Sequence, residues 1–476
     1  MKYLPPLRVT LAAGTLLLGG CTSFGQPAAT SSLAIPQAWR NAAATASPST
    51  QPPGEWWRQF NDPVLDEFIA AALKAAPDMR TARAQLHQAR ATRDLELANL
   101  YPSLGVSASA SRSKSGTQAG GTGKTQTLLA AGFDASWEPP IFSGQRDAVV
   151  GAEADLAASQ ASLAATHVSL AAEVALEYAT LRTYQQQLAL TRDNVASQGE
   201  TLQITEWRQQ AGLVTALNVD QARTTLEQSR ALIPAIEINR AAAEHRLAAL
   251  TGQAPGTLAN KLRDEKPLPT APDTIAVAIP ADTIRQRPDI RAAEQKLLAE
   301  IARSAEQRAA RYPSLSLSGT WGWKAFSLSA LGGGDAVAGS LLGSLAVNLF
   351  DGGRIRSRTA IQDAVQEQAL VNWESTILSA LEDVENALVA YARGKERVAA
   401  RRRAAASARS AAQLARTLFE AGTVDFMQVL DAQRTRLSAE EGLANAEGDL
   451  LVAVIRLYKA MGGGWRNEDA FVETRS

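Results

Sequence analysis

Helical and strand spacings alternate along this chain, and the same alternation occurs twice. From Asp62-Pro63, apolar residues fall at helical intervals (Leu65, Phe68, Ile69, Ala72), and a second helical stretch runs from about Asp78 to Leu100. Tyr101-Pro102 ends it, because proline drives the preceding residue out of helical geometry. The period then drops to two. Leu104, Val106, Ala108 and Ala110 alternate with Ser103, Gly105, Ser107, Ser109 and Ser111, an apolar face against a small polar one. Arg112 to Thr125 reads as a polar, glycine-rich loop. The return run sets Leu129, Ala131, Phe133, Ala135 and Trp137 on one face and Asp134 and Ser136 on the other. Further on, Leu315, Leu317, Trp321 and Trp323 alternate with Ser314, Ser316, Ser318 and Thr320. After a loop near Gly332 to Gly339, Leu341, Leu345, Val347 and Leu349 alternate with Leu342, Ser344, Ala346 and Asn348.

Each hairpin pattern leads into a long helical one. Gly144 to Gln210 holds no proline and is dense in alanine, with Leu156, Leu163, Leu170, Val174, Tyr178, Leu181 and Leu188 at helical spacings. At 1.5 Å per residue it reaches about 100 Å. Its duplicate runs from about Gly353 to Glu420. Each is followed by an Ala-Gly turn and a partner helix, about Ala216 to Leu250 and about Phe426 to Met461. Alanine at contact positions lets such helices approach closely and build a wall. A solid antiparallel coiled coil is the alternative, although its seam would call for Leu and Ile more consistently than this chain supplies them.

The duplication is also literal. Pro77-Asp78-Met79-Arg80 returns as Pro288-Asp289-Ile290-Arg291, Tyr101-Pro102-Ser103-Leu104 as Tyr312-Pro313-Ser314-Leu315, Phe142-Ser143-Gly144-Gln145-Arg146 as Phe350-Asp351-Gly352-Gly353-Arg354, and Ala211-Gly212-Leu213-Val214 as Ala421-Gly422-Thr423-Val424, with offsets between 208 and 211. That period is far longer than a solenoid repeat, so each half is a whole structural unit. The expected organisation is a leader at 1–20, an extended tether at 21–54, a first repeat at 55–285, a second at 286–462 and a tail at 463–476. The first repeat comprises a β-hairpin at about 102–140, a helical hairpin at about 143–250 and a connector at about 251–285. The second comprises a β-hairpin at about 313–351 and a helical hairpin at about 352–461.

Strands of this length, with one apolar face and aromatics near their ends, fit a transmembrane β-barrel. A soluble half-buried sheet gives the same alternation. Four strands cannot close a barrel, which needs about eight, and lipid tolerates no open edge. Two chains would supply eight strands and three would supply twelve.

The N-terminus favours the membrane. Lys2 and Arg8 precede an apolar run from Val9 to Leu18, which is too short to span a bilayer and has the layout of a secretory leader. Leu18-Gly19-Gly20-Cys21 looks like a bacterial lipobox. Cys21 is the only cysteine, so it has no disulfide partner within the chain, and lipid on it would anchor the protein. An incidental cysteine after an ordinary leader is the plainer alternative.

Composition then excludes several classes. Lys plus Arg equals Asp plus Glu at 48 each, which offers no field for nucleic acid. No segment of the mature chain reaches ~18 consecutive apolar residues, so any membrane crossing is by strands. His87, His167 and His245 lie in separate helical stretches, and Gly332-Gly333-Gly334 lacks the context of a phosphate-binding loop. No catalytic constellation or metal site emerges, no cofactor is implied beyond lipid on Cys21, and the chain reads as a non-enzyme.

The lipobox, Ile279-Pro280 to Arg287-Pro288-Asp289-Ile290, both Tyr-Pro-Ser-Leu segments, Leu349-Phe350-Asp351-Gly352-Gly353 and Val429-Leu430-Asp431-Ala432-Gln433-Arg434 together resemble the TolC-like outer-membrane efflux factor family, specifically its NodT-type lipoprotein branch. The resemblance covers roughly residues 55 to 462. It implies a mainly α fold with a transmembrane β-barrel: a homotrimer whose twelve-stranded barrel in the outer membrane continues as a helical periplasmic tunnel. It also implies two partners, a periplasmic adaptor and an inner-membrane resistance-nodulation-division transporter, and a passive exit duct for small molecules such as drugs. Thr22, not Asp, after the cysteine favours the outer membrane by the same resemblance. The family's periplasmic gate falls on Met427, Asp431 and Arg434, which share a helix face at i, i+4 and i+7. A plain Asp431–Arg434 surface ion pair is the alternative. The family's adaptor-contact tips fall on Gly212, Leu213, Val214 and Gly422, Thr423, Val424, although glycine also simply ends helices. Type I protein secretion, metal-ion efflux or a pore-free structural coiled coil are the competing functions.

Overall fold

A computed structural model describes residues 33–41, 46–48, 54–114, 116, 118, 123–142, 144–272, 275–277 and 280–464. The leader, Cys21 and the tail beyond 464 lie outside the described residues. Helices α1 (Pro63–Ala75) and α2 (Pro77–Ala98) lead into strands β2 (Ser103–Lys114) and β3 (Thr125–Trp137), then the long α3 (Gln145–Gln210) and α4 (Ala216–Leu250). The second copy follows the same order: α5 (Pro280–Gln286), α6 (Pro288–Ala309), β5 (Ser314–Ala325), β6 (Val337–Ala346), α7 (Arg354–Glu420) and α8 (Phe426–Ala460). Short strands β1 (Ala46–Pro48) and β4 (Ile275–Val277) pair in parallel.

Local chemistry explains the boundaries. Pro63 occupies the first turn of α1, and the Asp62 carboxylate caps it by accepting from the Val64 and Leu65 amides. The face of α1 expected from sequence, Leu65, Phe68, Ile69 and Ala72, is the buried one. With Trp56, Trp57 and Phe60 it packs around the middle of the long helices, against Tyr178, Leu181, Leu247, Val384 and Tyr458. Trp56 stacks on Tyr458 at 5.3 Å between ring centres, and the Tyr458 hydroxyl donates to Gln59 Oε1. A buried polar clasp holds the connector to this belt. The Arg182 guanidinium donates to the Tyr178 hydroxyl, to Gln185 Oε1 and to the carbonyl of Asp264, while Gln185 donates to the carbonyl of Leu262. These bonds offset the desolvation that a low-dielectric interior imposes on a buried guanidinium and amide.

Strands β2, β3, β5 and β6 form one antiparallel sheet in that order, so the two hairpins join side by side through β3 and β5. The register lines up a single apolar face across all four strands: Val106 opposite Phe133, Phe133 opposite Trp321, and Leu317 opposite Gly343. The other face carries Ser103, Ser136 and Ser318 in one row and Gly105, Asp134, Thr320 and Ser340 in the next, broken by Leu128 and Leu342. Gly132 and Gly322 oppose one another at the seam between the copies. A Cβ on Gly322 would lie 2.3 Å from the Ala131 carbonyl oxygen, so only glycine allows the backbones this close. The outer edges of the sheet, β2 and β6, have no further strand partner among the described residues.

Four expectations need correction. The loop expected from Arg112 to Thr125 is shorter, because Arg112, Ser113 and Lys114 continue β2 in register with Thr127, Gln126 and Thr125. The second hairpin stops at Ala346, so Val347 and Leu349 are not strand residues. The Asp351 carboxylate accepts from the Gly353 and Ile355 amides and turns the chain into α7. The tether is not free along its whole length: Trp39 is buried, the Arg40 and Asn41 amides donate to the Glu385 carboxylate, and β1 pairs with β4. Lastly, the second repeat begins at Pro280 instead of 286, since α5 and α6 are the counterparts of α1 and α2.

Candidate gate at the helix tips

The long hairpins end together, far from the sheet, and their turns are alike. Gly212 and Gly422 adopt φ of 74° and 75°. The Leu213 and Gly212 amides donate to the carbonyls of Arg208 and Gln209, and those of Thr423 and Gly422 to the carbonyls of Leu418 and Phe419. Both turns are therefore Schellman caps, in which glycine takes the left-handed position that other residues resist. Leu213 at the first tip is 73% exposed, a large apolar side chain without cover.

Behind the tips lies a small core of Ala222, Phe419, Phe426, Val429 and Leu430. It selects the orientation of α8. Burying Phe426, Val429, Leu430 and Gln433 leaves the face with Met427, Asp431 and Arg434 outward, and Met427 is 37% exposed. The three candidate residues are thus brought to one face that this chain does not cover. The Asp431–Arg434 ion pair is absent. Arg434 Nη2 donates instead to Thr225 Oγ1 on α4 at 2.9 Å, and the Asp431 carboxylate has neither hydrogen bond nor ion pair among the described residues. Arg434 is drawn off because Thr225 stands beside it on the neighbouring hairpin, where a hydroxyl accepts a charge-assisted bond. The first-copy counterparts are Leu217, Gln221 and Thr224, and the Thr224 hydroxyl is taken up by the carbonyl of Asp220.

Several tip contacts had no sequence signal specific enough to find them. Arg208, near the end of α3, donates through Nη2 to the carbonyls of Phe419 (3.0 Å) and Glu420 (3.1 Å), with its guanidinium carbon 4.2 Å from the centre of the Phe419 ring. It caps the partner hairpin's helix, not its own. Gln433 donates to Thr201 Oγ1, and Arg436 bridges Asp193 on α3 and Glu440 on α8. Only the i, i+4 spacing of Arg436 and Glu440 was readable beforehand.

The tips thus group an exposed thioether, a carboxylate and a guanidinium on one helix face, and no metal-holding cluster occurs among the described residues. The sequence pattern of the outer membrane efflux protein family matches residues 68–253 and 279–463. The chain belongs to the outer membrane efflux protein family. It is 30% identical over 472 residues to the pyoverdine export outer membrane protein OpmQ of Pseudomonas aeruginosa, covering 97% of each chain. It is 28% identical over 473 residues to nodulation protein T of Rhizobium leguminosarum bv. trifolii, covering 96% of this chain and 97% of that one. The outer-membrane channel OprN superposes with a TM-score of 0.85 at 33% identity, over 91% of this chain and 99% of that chain. The family's two matched segments coincide with the two copies and leave out the connector. The four-stranded sheet is accordingly this chain's share of an outer-membrane barrel, and no helix among the described residues is long and apolar enough to cross a membrane.

Proposed function

We propose that three copies of this chain form a passive, gated exit duct for small molecules across the outer membrane, fed by a periplasmic adaptor and an inner-membrane resistance-nodulation-division transporter. The open edges β2 and β6 support closure between copies, since an unpaired strand edge is not tolerated in lipid. Three sheets would make a twelve-stranded barrel. Each chain supplies α2, α3, α6 and α7 near the barrel and α3, α4, α7 and α8 toward the tips, so a tunnel of twelve helices continues it throughout. Among the relatives, a protein named for pyoverdine export supports export as the direction.

The observation that carries the gate is the uncovered Met427–Asp431 face of α8. Around a threefold axis it would set an apolar ring beside an acidic one, and close carboxylates repel unless cations or Arg434 screen them. The flexible Met427 thioether would plug the passage without rigid fit. Gly212, Leu213, Val214 and Gly422, Thr423, Val424 form the surface offered to the adaptor, with the bare Leu213 as its apolar anchor. Cys21, outside the described residues, carries the lipid in this reading, and Cys21→Ser should abolish palmitate labelling while the barrel keeps the protein in the membrane.

Planar-bilayer recording tests the duct. Wild-type protein is expected to show small conductance steps that grow in Asp431→Ala and Met427→Ala. Silence from all three would remove the channel reading and leave a structural coiled coil.

A further inference from the structure

Strand β2 carries the apolar face one way and then changes character. Its outward positions run Leu104, Val106, Ala108, Ala110, then Arg112 and Lys114, all by the same two-residue alternation. The neighbouring strand changes at the same level: Leu129 gives way to Thr127, opposite Arg112, and Thr125, opposite Lys114. Two cations and two hydroxyls therefore occupy one continuous outward patch, and all four side chains are exposed. Among the described residues, neither the Arg112 nor the Lys114 side chain is hydrogen-bonded or ion-paired. The patch stands on the β2–β3 hairpin beyond the last β3–β5 pair, Leu129 with Ala325.

Its height identifies what lies beside it. On β5 the apolar face extends from Leu315 to Ala325, which at about 3.4 Å per residue and a tilt of about 40° spans about 26 Å, close to the ~25 Å apolar band of outer-membrane barrels. On β2 the cations come one and two steps beyond the apolar run, at the end away from the helices. With the helices in the periplasm, that end faces the outer leaflet. The expected neighbours there are lipid headgroups, and the complementary chemistry is phosphate. A guanidinium takes two phosphate oxygens in a fork, an ammonium adds a point charge about 7 Å along the strand, and threonine hydroxyls donate to remaining oxygens.

We infer that Arg112, Lys114, Thr125 and Thr127 form a binding site for the phosphates of an outer-leaflet glycolipid of the lipid A type. The inference rests on the barrel reading above and adds a specific lipid contact to it. Lys324 supplies the internal comparison. It stands on β5 beside this level, but the alternation turns it to the polar face, opposite Ala130. Asp335, in the β5–β6 loop, is the acid that a neighbouring copy could bring to the same edge.

The test uses the full-length assembled protein in mild detergent, with diphosphoryl lipid A and its dephosphorylated form as probes and native mass spectrometry as the readout. The wild type is expected to hold the diphosphoryl form, and R112Q/K114Q to bind it about tenfold more weakly or worse, the loss expected for two charge-assisted contacts. Dephosphorylated lipid should bind wild type as weakly as diphosphoryl lipid binds the variant, and K324Q should bind like wild type. Equal retention of diphosphoryl lipid by R112Q/K114Q and wild type would overturn the site. So would a variant whose copies fall apart while lipid binding persists, which would assign the cations to contact with a neighbour's Asp335. Conductance of R112Q/K114Q in bilayers keeps the two readings separate, since a conducting variant with unchanged lipid binding refutes this site and leaves the duct intact.

Discussion

The two hairpin tips share a backbone and differ in side chains. Each ends a helix of about 100 Å with the same glycine cap, and each returns through a partner helix of 35 residues. On that common frame, the first copy sets Leu217, Gln221 and Thr224 where the second sets Met427, Asp431 and Arg434. Another difference is one-sided: Arg208 in the first copy reaches the Phe419 ring and carbonyl in the second, while their counterparts, Leu418 and Gln209, offer neither a cation nor a ring to return the contact. Duplication thus preserved what the main chain needs and released the side chains to differ.

The largest effect should come from the Met427–Asp431 face of the second tip. Asp431→Ala is expected to raise conductance or vancomycin entry several-fold, whereas Gln221→Ala leaves both near wild type. Equal responses would erase the distinction between the copies. The shared part is tested by Gly212→Val and Gly422→Val, each of which forces a β-branched residue to positive φ at a cost of about 1–2 kcal/mol. Amide exchange at the two turns should rise by similar amounts. Arg208→Ala removes a cation from the end of α7 together with its ring contact, about 1 kcal/mol, and should loosen the second tip more than its own.

The smallest effect is one of acidity, at the other end of the same helices. The amides of Ile355 and Gly353 hold the Asp351 carboxyl below the ordinary carboxylate range. Its contribution to the start of α7 is therefore complete above the ordinary value and is lost as pH falls through the depressed one. Amide exchange over the first turn of α7 should quicken on acidification in wild type and show no such step in Asp351→Ser. The first-copy sequence counterpart is Ser143, which does not titrate in this range.

Periodicity made most of the architecture legible. The alternation at 104–110 and 129–137 named the apolar face that the register confirms, because side-chain direction in a strand follows from parity alone. Helix ends at Gln210, Leu250 and Glu420 were readable because the glycine turns are local. The contacts that crossed the duplication were not. Arg208 to Phe419 and Arg434 to Thr225 join residues about 210 positions apart, and neither pair has any spacing rule to betray it. The docking of Trp39 was hidden for a similar reason, since a segment rich in Ala, Pro and Ser reads as linker until a receptive surface is known.

By itself, the sequence determined the repeat, the strand and helix order, the two glycine turns and the membership of a helix face by Met427, Asp431 and Arg434, all of which depend on neighbours within a few residues. Tertiary structure decided which face was left bare, that the Asp431 carboxylate has no partner among the described residues while Arg434 leans on Thr225, and that Arg112 and Lys114 extend the strand outward instead of entering a loop. Those outcomes turn on packing and cross-strand pairing between distant segments, where burial of one face of α8 and the register of β2 with β3 leave each side chain a single direction to point.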